Sequence, residues 1–282
     1  MVDWFNPRQA VPDSEAMMSR FDSASQAFRR WWPHQTLDLQ YGPDERQRYD
    51  VFEPALPSAC KGTVLFLHGG FWFSRHKDQF SFMAQAYVQA GWTFVAMTYP
   101  LMPQISLTQL VDQTSAGVVA IEKQLVERFG RGIQVAAGHS AGAHLLAMAF
   151  HTERGRQQTK AMVHQPERLV LVSGVYDPKA RAAAEVSKTI GLTPDDAALS
   201  CPLTHCSPSA IPTVLFAGAR EPELWQGMGQ RYAEQLRKMG LERAEQHLVA
   251  GHDHFSLLEA MANPASEIAG TILLPDLWRK AT

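Results

Sequence analysis

The chain has 282 residues, 45% of them hydrophobic, 19% charged and 10% aromatic, with a formal net charge of −2. This is ordinary globular composition with material for a large core, and the near-neutral charge gives no electrostatic reason to expect nucleic acid or an anionic membrane as partner. Three cysteines without C-x-x-C spacing (Cys60, Cys201, Cys206) speak against a disulfide framework or a thiolate metal site and suit a reducing cytoplasm.

The opening MVDWFNPRQAVPDSEAMM lacks a basic-then-apolar leader, so no signal peptide is expected, and runs such as VLFL are far too short to span a bilayer. Residues 1 to about 40 carry Trp4, Phe5, Phe21, Phe28, Trp31 and Trp32 without a strand pattern, which predicts a helical N-terminal cover whose aromatics pack. Short apolar β-rich runs then recur at Thr63–Leu67, Trp92–Thr98, Ile133–Ala137, Leu169–Val172, Thr213–Ala217 and roughly Ala244–Val249. Their nearly uniform apolar character suits strands buried on both faces of a parallel sheet. Helix-like stretches lie between them at Asp78–Ala90, Leu107–Phe129 and Trp225–Met239. Strand and helix in regular succession predict an α/β fold. Residues 178–207 interrupt the rhythm and predict a small helical cap insertion of the kind that roofs an active site.

Within this frame, Gly138-His139-Ser140-Ala141-Gly142 is a G-x-S-x-G pentapeptide. A strand-like run feeds it, and the buried-helix pattern Ala141–Phe150 leaves it. Strand, sharp turn and helix are what a nucleophile elbow requires, with small neighbours so that strand and helix can approach closely. A serine hydroxyl is a poor nucleophile and needs a base and a group to orient that base.

Carboxylates that follow the run Thr213–Ala217 stand at the right end of a strand. Glu221 is the first choice and Glu223 a close rival, while Asp177 in SGVYDP fits a turn or a supporting role better. In Gly251-His252-Asp253-His254-Phe255-Ser256, His254 precedes a helix-like stretch and is the preferred base, with His252 second. In the stretch Val64–Trp72, Gly69 and Gly70 follow a strand and can aim backbone N–H groups at a developing oxyanion, together with the N–H of Ala141. Loss of one such donor typically costs roughly 3–4 kcal/mol of barrier. Phe71, Trp72, Phe73 and Trp225 are candidates for an aromatic substrate pocket. His144, one helical turn from Ser140, can reach the site rim, although a buried structural role suits it better. His68 and His139 are expected to buttress their loops.

HGGFW, YPLMP at residues 99–103, GHSAGAH, SGVYD and DHFS together resemble the arylformamidase (kynurenine formamidase) branch of the α/β-hydrolases, which neighbours the hormone-sensitive-lipase-like esterases. With QYGPDERQRYDVFEP, the resemblance runs from about residue 40 to the end. It implies one α/β-hydrolase domain over residues 1–282, with a mostly parallel central sheet and helices on both faces. It also implies a serine hydrolase of N-formyl amides or carboxylic esters, acting on a small-molecule substrate with no metal and no organic cofactor. The family more often has aspartate where Glu221 stands here. A homodimer is compatible with the sequence.

Two other readings compete. His252-Asp253-His254 resembles half a metal site, to which His164 or His205 would add ligands, but no HxxEH or HxHxDH pattern appears. A non-catalytic binding protein of this fold would typically have lost the nucleophile or the histidine, and here every part is present.

Overall fold

A computed structural model of the chain describes residues 7–182 and 185–274. Eight strands form one sheet: β1 Gln35–Gln40, β2 Arg48–Phe52, β3 Thr63–Leu67, β4 Thr93–Met97, β5 Val135–His139, β6 Arg168–Val172, β7 Thr213–Gly218 and β8 Ala244–Val249. Their order across the sheet is β1-β2-β4-β3-β5-β6-β7-β8. The first two strands pair antiparallel, and every pair from β4 to β8 is parallel. The expected α/β-hydrolase architecture, a mostly parallel sheet between helical layers, is the one observed.

Alternation along each strand sends successive side chains to opposite faces. Val64, Phe66, Val170 and Val172 join one apolar cluster, while Leu65, Leu67, Leu169 and Leu171 join the other. Both faces are therefore buried, which explains why the runs of β3 to β7 are nearly continuous in apolar and small residues rather than alternating.

The helix Leu107–Phe129 has the bounds that the sequence predicts. Ser106 and Gln109 form a reciprocal capping box at its start, and Gly130 ends it at φ 67°. The stretch Asp78–Ala90 is a 3-10 helix, Lys77–Met83, followed by a short α-helix, Ala84–Gln89.

The N-terminal segment departs from expectation in part. Ser14–Trp31 is a helix whose Phe21 and Phe28 are buried, but Gln35–Gln40, expected within the helical cover, is the edge strand β1. Trp4 and Phe5 lie outside the described residues. The described residues of 178–207 include four short helices, Lys179–Ala182, Glu185–Thr189, Pro194–Leu199 and Pro202–His205. Asp196 in this insertion accepts from the backbone N–H groups of Leu107 and Thr108, so the insertion grips the start of the long helix.

Candidate active site

Because β3, β5, β6, β7 and β8 run parallel and in close register, the loops that follow them emerge side by side at one edge of the sheet. Residues remote in sequence, at 69–71, 140, 173, 221 and 254, all lie on those loops.

Ser140 directly follows β5 and adopts φ 54° and ψ −114°, a conformation that costs an L-residue of order 1–3 kcal/mol. The surroundings enforce it. Its N–H donates to Val172 O at 2.8 Å, and His144 N–H donates to Ser140 O at 3.1 Å. The helix Ala141–His151 is buried over its whole length. A Cβ on Gly142 would stand 2.0 Å from Leu67 O, and one on Gly138 would stand 2.6 Å from the Gly142 carbonyl carbon. Only glycine lets β5, the helix and β3 approach this closely.

The candidate base and the candidate acid meet on the same edge. His254 Nδ1 lies 2.8 Å from Glu221 Oε1, and both side chains are almost completely buried. Glu221 Oε2 accepts from Gly218 N–H at 2.8 Å. An ionised carboxylate only accepts, so Nδ1 carries the proton and the other ring nitrogen is left as a base. Glu223, the rival carboxylate, is exposed at the first position of the helix Glu223–Lys238 and does not meet the histidine. Asp177 faces Cys201 in the insertion. His252 donates through Nδ1 to Ser256 O instead.

Two further histidines support the edge. His139 Nε2 donates to His254 O at 2.8 Å, and burial holds His139 well below the usual imidazole range, with the neighbouring His254 adding to the effect. His68 Nδ1 donates to Gly69 O at 2.6 Å, its other nitrogen faces Thr98 Oγ1, and burial lowers its pKa to about 3. Both imidazoles are neutral struts for their loops.

The turn after β3 is unusual. Gly70, Phe71 and Trp72 stand at φ 126°, 56° and 63° in succession. A Cβ on Gly69 would meet Ser140 Cβ at 3.0 Å, so this backbone lies directly against the serine. The N–H of Ala141, in the first turn of its helix, has no acceptor within the helix. The backbone of the two loops therefore flanks Ser140, where a carbonyl oxygen would gain charge.

A cavity of about 130 Å³ opens at this point, lined by Gly69, Gly70, Ser140 and His254, the aromatic residues Phe71, Phe73 and Phe255, and by Arg8 and Arg75, whose guanidiniums both lie against the Glu15 carboxylate. A second cavity of about 270 Å³ lies on the other side of His254, with Trp225, Glu221 and Arg220 in its wall. The N-terminal segment covers both, through Arg8 and Met18 on the first and Ala10–Asp13 and Met17 on the second. Among the described residues, none of 178–207 stands in the wall of either cavity.

Of the five expected pocket and rim residues, Phe71 and Phe73 line the first cavity and Trp225 the second, its ring 4.8 Å from that of His254. Trp72 and His144 are not in contact with either. Trp72 Nε1–H donates to His144 Nδ1 at 3.1 Å, and His144 Nε2–H donates to Ser200 O at 2.7 Å. Both are fully buried, and burial lowers the His144 pKa to about 4. They tie the H-G-G loop, the helix that follows Ser140 and the insertion together. The aromatic pattern in sequence did not distinguish a ring facing the cavity from one facing the core.

The metal-site reading finds no assembled ligand set in its histidines. His164 lies beside Gly132, near the other end of β5, and His205 donates to Ala198 O. Asp253 accepts from the N–H groups of Phe255 and Ser256. Asp38, Asp50 and Asp78, which lie together, all bind the buried ammonium of Lys77. Sequence reasoning did not single out Ser173, Arg8 or Arg75. Ser173 had one signal, its place directly after a buried run on the same sheet edge.

A family model for the alpha/beta hydrolase fold matches residues 64–257. A kynurenine formamidase of Danio rerio is 30% identical over 267 residues, covering 92% of this chain and 88% of the fish protein. Another from Salmo salar is 28% identical over 233 residues, covering 80% and 77%. A solved structure from Silicibacter superposes with a TM-score of 0.80 at 21% identity, covering 95% of this chain and 97% of the other.

Proposed function

As the chain belongs to the α/β-hydrolase family, in the branch of the kynurenine formamidases, and is a hydrolase of the formamidase and esterase kind, we propose that it cleaves an N-formyl aryl amide of the N-formylkynurenine type through a formyl-enzyme on Ser140. His254, oriented by Glu221, takes the proton as Ser140 Oγ attacks the formyl carbon. The N–H groups of Gly69, Gly70 and Ala141 receive the oxyanion, and His254 returns the proton to the departing aryl amine. Water, deprotonated by the same base, then attacks the formyl ester, and His254 returns that proton to Ser140 Oγ as formate is released. No step calls on a metal or an organic cofactor.

The observation that carries the substrate reading is the lining of the cavity at Ser140. Aromatic and apolar residues suit an aryl group, and Arg8 and Arg75, which already hold the exposed carboxylate of Glu15 between them, suit a carboxylate on the same molecule. Simple acyl esters have no use for that charge. A general carboxylesterase is the second reading, because the same constellation opens esters. Three free cysteines, and no helix among the described residues long and apolar enough to cross a membrane, support placing the enzyme in the cytoplasm.

The test is kcat/KM for N-formylkynurenine beside p-nitrophenyl acetate and butyrate. Our reading expects the formamide to be preferred by at least about tenfold, a difference of roughly 1.4 kcal/mol in transition-state binding. A formamide rate at background with rapid ester cleavage would leave the carboxylesterase.

A further inference from the structure

Ser173 is the first residue after β6, 4% exposed, and its N–H donates to Phe216 O at 2.7 Å. It holds φ 48°, a left-handed conformation uncommon for serine. From there its hydroxyl donates to Glu221 Oε1 and lies 2.8 Å from His254 Nδ1. Nδ1 is itself 2.8 Å from the same Oε1. Three polar atoms thus form a closed triangle in a buried setting.

Counting protons fixes the directions within it. The carboxylate can only accept, so it takes both the hydroxyl proton and the Nδ1 proton. The hydroxyl has one proton, already given to Glu221, so a lone pair of Oγ faces Nδ1–H. The negative end of the hydroxyl dipole then points at the imidazole and its positive end at the carboxylate. That orientation favours negative charge on Glu221 and positive charge on His254 together, which is the charge distribution created when Ser140 loses its proton.

We propose that Ser173 is a positioning residue for the acid–base pair, its hydroxyl holding His254 in the Nδ1–H tautomer and stabilising the imidazolium formed during acyl transfer. This rests on the assignment of Ser140, His254 and Glu221 above. Other groups face His254. His139 packs from the end of β5, its ring centre 4.7 Å away, and burial keeps it neutral. Arg220 and Asp253 share the cavity on one side, and Arg8 and Arg75 the cavity on the other. Ser173 differs from these in reaching the side chains of both Glu221 and His254 with one hydroxyl.

The test compares Ser173→Ala and Ser173→Gly with the parent enzyme and with Ser140→Ala, following kcat, KM and the pH profile of kcat/KM. Alanine removes the hydroxyl and keeps the backbone strain, whereas glycine removes both. Each variant is expected to lose about tenfold in kcat, the worth of a hydrogen bond to an ionised group, with KM changed by less than about twofold. The acid limb of the profile moves to lower pH, because the imidazolium loses the dipole that favours it. Parent-like kcat in the glycine variant, or an unmoved acid limb in both, overturns the role of the hydroxyl while inactive Ser140→Ala leaves the triad standing. Full activity in Ser140→Ala would overturn the triad, and this proposal with it.

Discussion

At Ser140 the hydroxyl is available only because neighbouring positions carry no side chain. A Cβ on Gly142 would collide with the backbone oxygens of Leu67 and His68, which cannot swing aside. We therefore expect Gly142→Ala to lose about 1–3 kcal/mol by overpacking, read as a lower urea midpoint at unchanged m; an unchanged midpoint would show that the elbow is not tight. The cavity arginines give a separate prediction. Arg75 is largely buried, its side chain 15% exposed, and its exposed neighbour Glu15 lies 3.7 Å away. Arg75→Gln should raise KM for N-formylkynurenine roughly tenfold, the value of a charge-assisted contact, and leave uncharged formanilide nearly unaffected. Equal losses on both substrates would remove Arg75 from carboxylate recognition. At this scale the sequence separated Glu221 from Glu223 only by strand spacing. What decides is which carboxylate turns back toward the sheet edge, and that depends on the turn after β7.

Elements were legible where one signal dominated. The helix Leu107–Phe129 shows apolar periodicity with an intact capping box and a glycine stop, and the strands β3 to β7 are uniformly buried. β1 and β2 carry no such mark. QTLDLQ is a half-exposed edge strand, and RYDVF buries the charge of Asp50, which is paired with Lys77 and Arg29. A search for uniformly apolar runs passes over both. Local composition marks 178–207 as an insertion but does not say which surface it covers. There Asp196 takes the part of an N-cap from outside the helix, accepting from Leu107 N–H at 2.7 Å and Thr108 N–H at 2.9 Å. Asp196→Ala is expected to cost about 1–2 kcal/mol of stability, comparable to losing a helix cap, with kcat retained. Thermal denaturation checks it, and an unchanged midpoint would mean that the insertion is held by its apolar contacts instead.

For the whole molecule, buried neutral histidines set the response to acid. Burial lowers the pKa of His68 and His151 to about 3 and that of His144 to about 4, and moves His139 well below the ordinary range. Unfolded imidazoles titrate near ~6.5, so below that pH the unfolded chain binds protons that the native chain refuses. Stability from this source is complete above ~6.5 and declines steadily as pH falls toward 4, each proton contributing about 1.4 kcal/mol per pH unit. Urea unfolding between pH 5 and 7 should show proton uptake on unfolding, and a flat profile there would contradict the neutral struts. The same global view explains why the site was partly legible. Chain order supplied serine, acid and histidine, but Ser173 enters only through the registry of β6 beside β5 and β7, which local sequence does not display.

The central claim is that Ser140 is the nucleophile and that His254 activates it. A fluorophosphonate probe followed by intact-mass and peptide analysis tests it most directly. The account predicts one adduct per chain, located on Ser140, none in Ser140→Ala, and labelling slowed by at least about a hundredfold in His254→Ala through loss of the base. An adduct that persists at the parent rate in Ser140→Ala would contradict it.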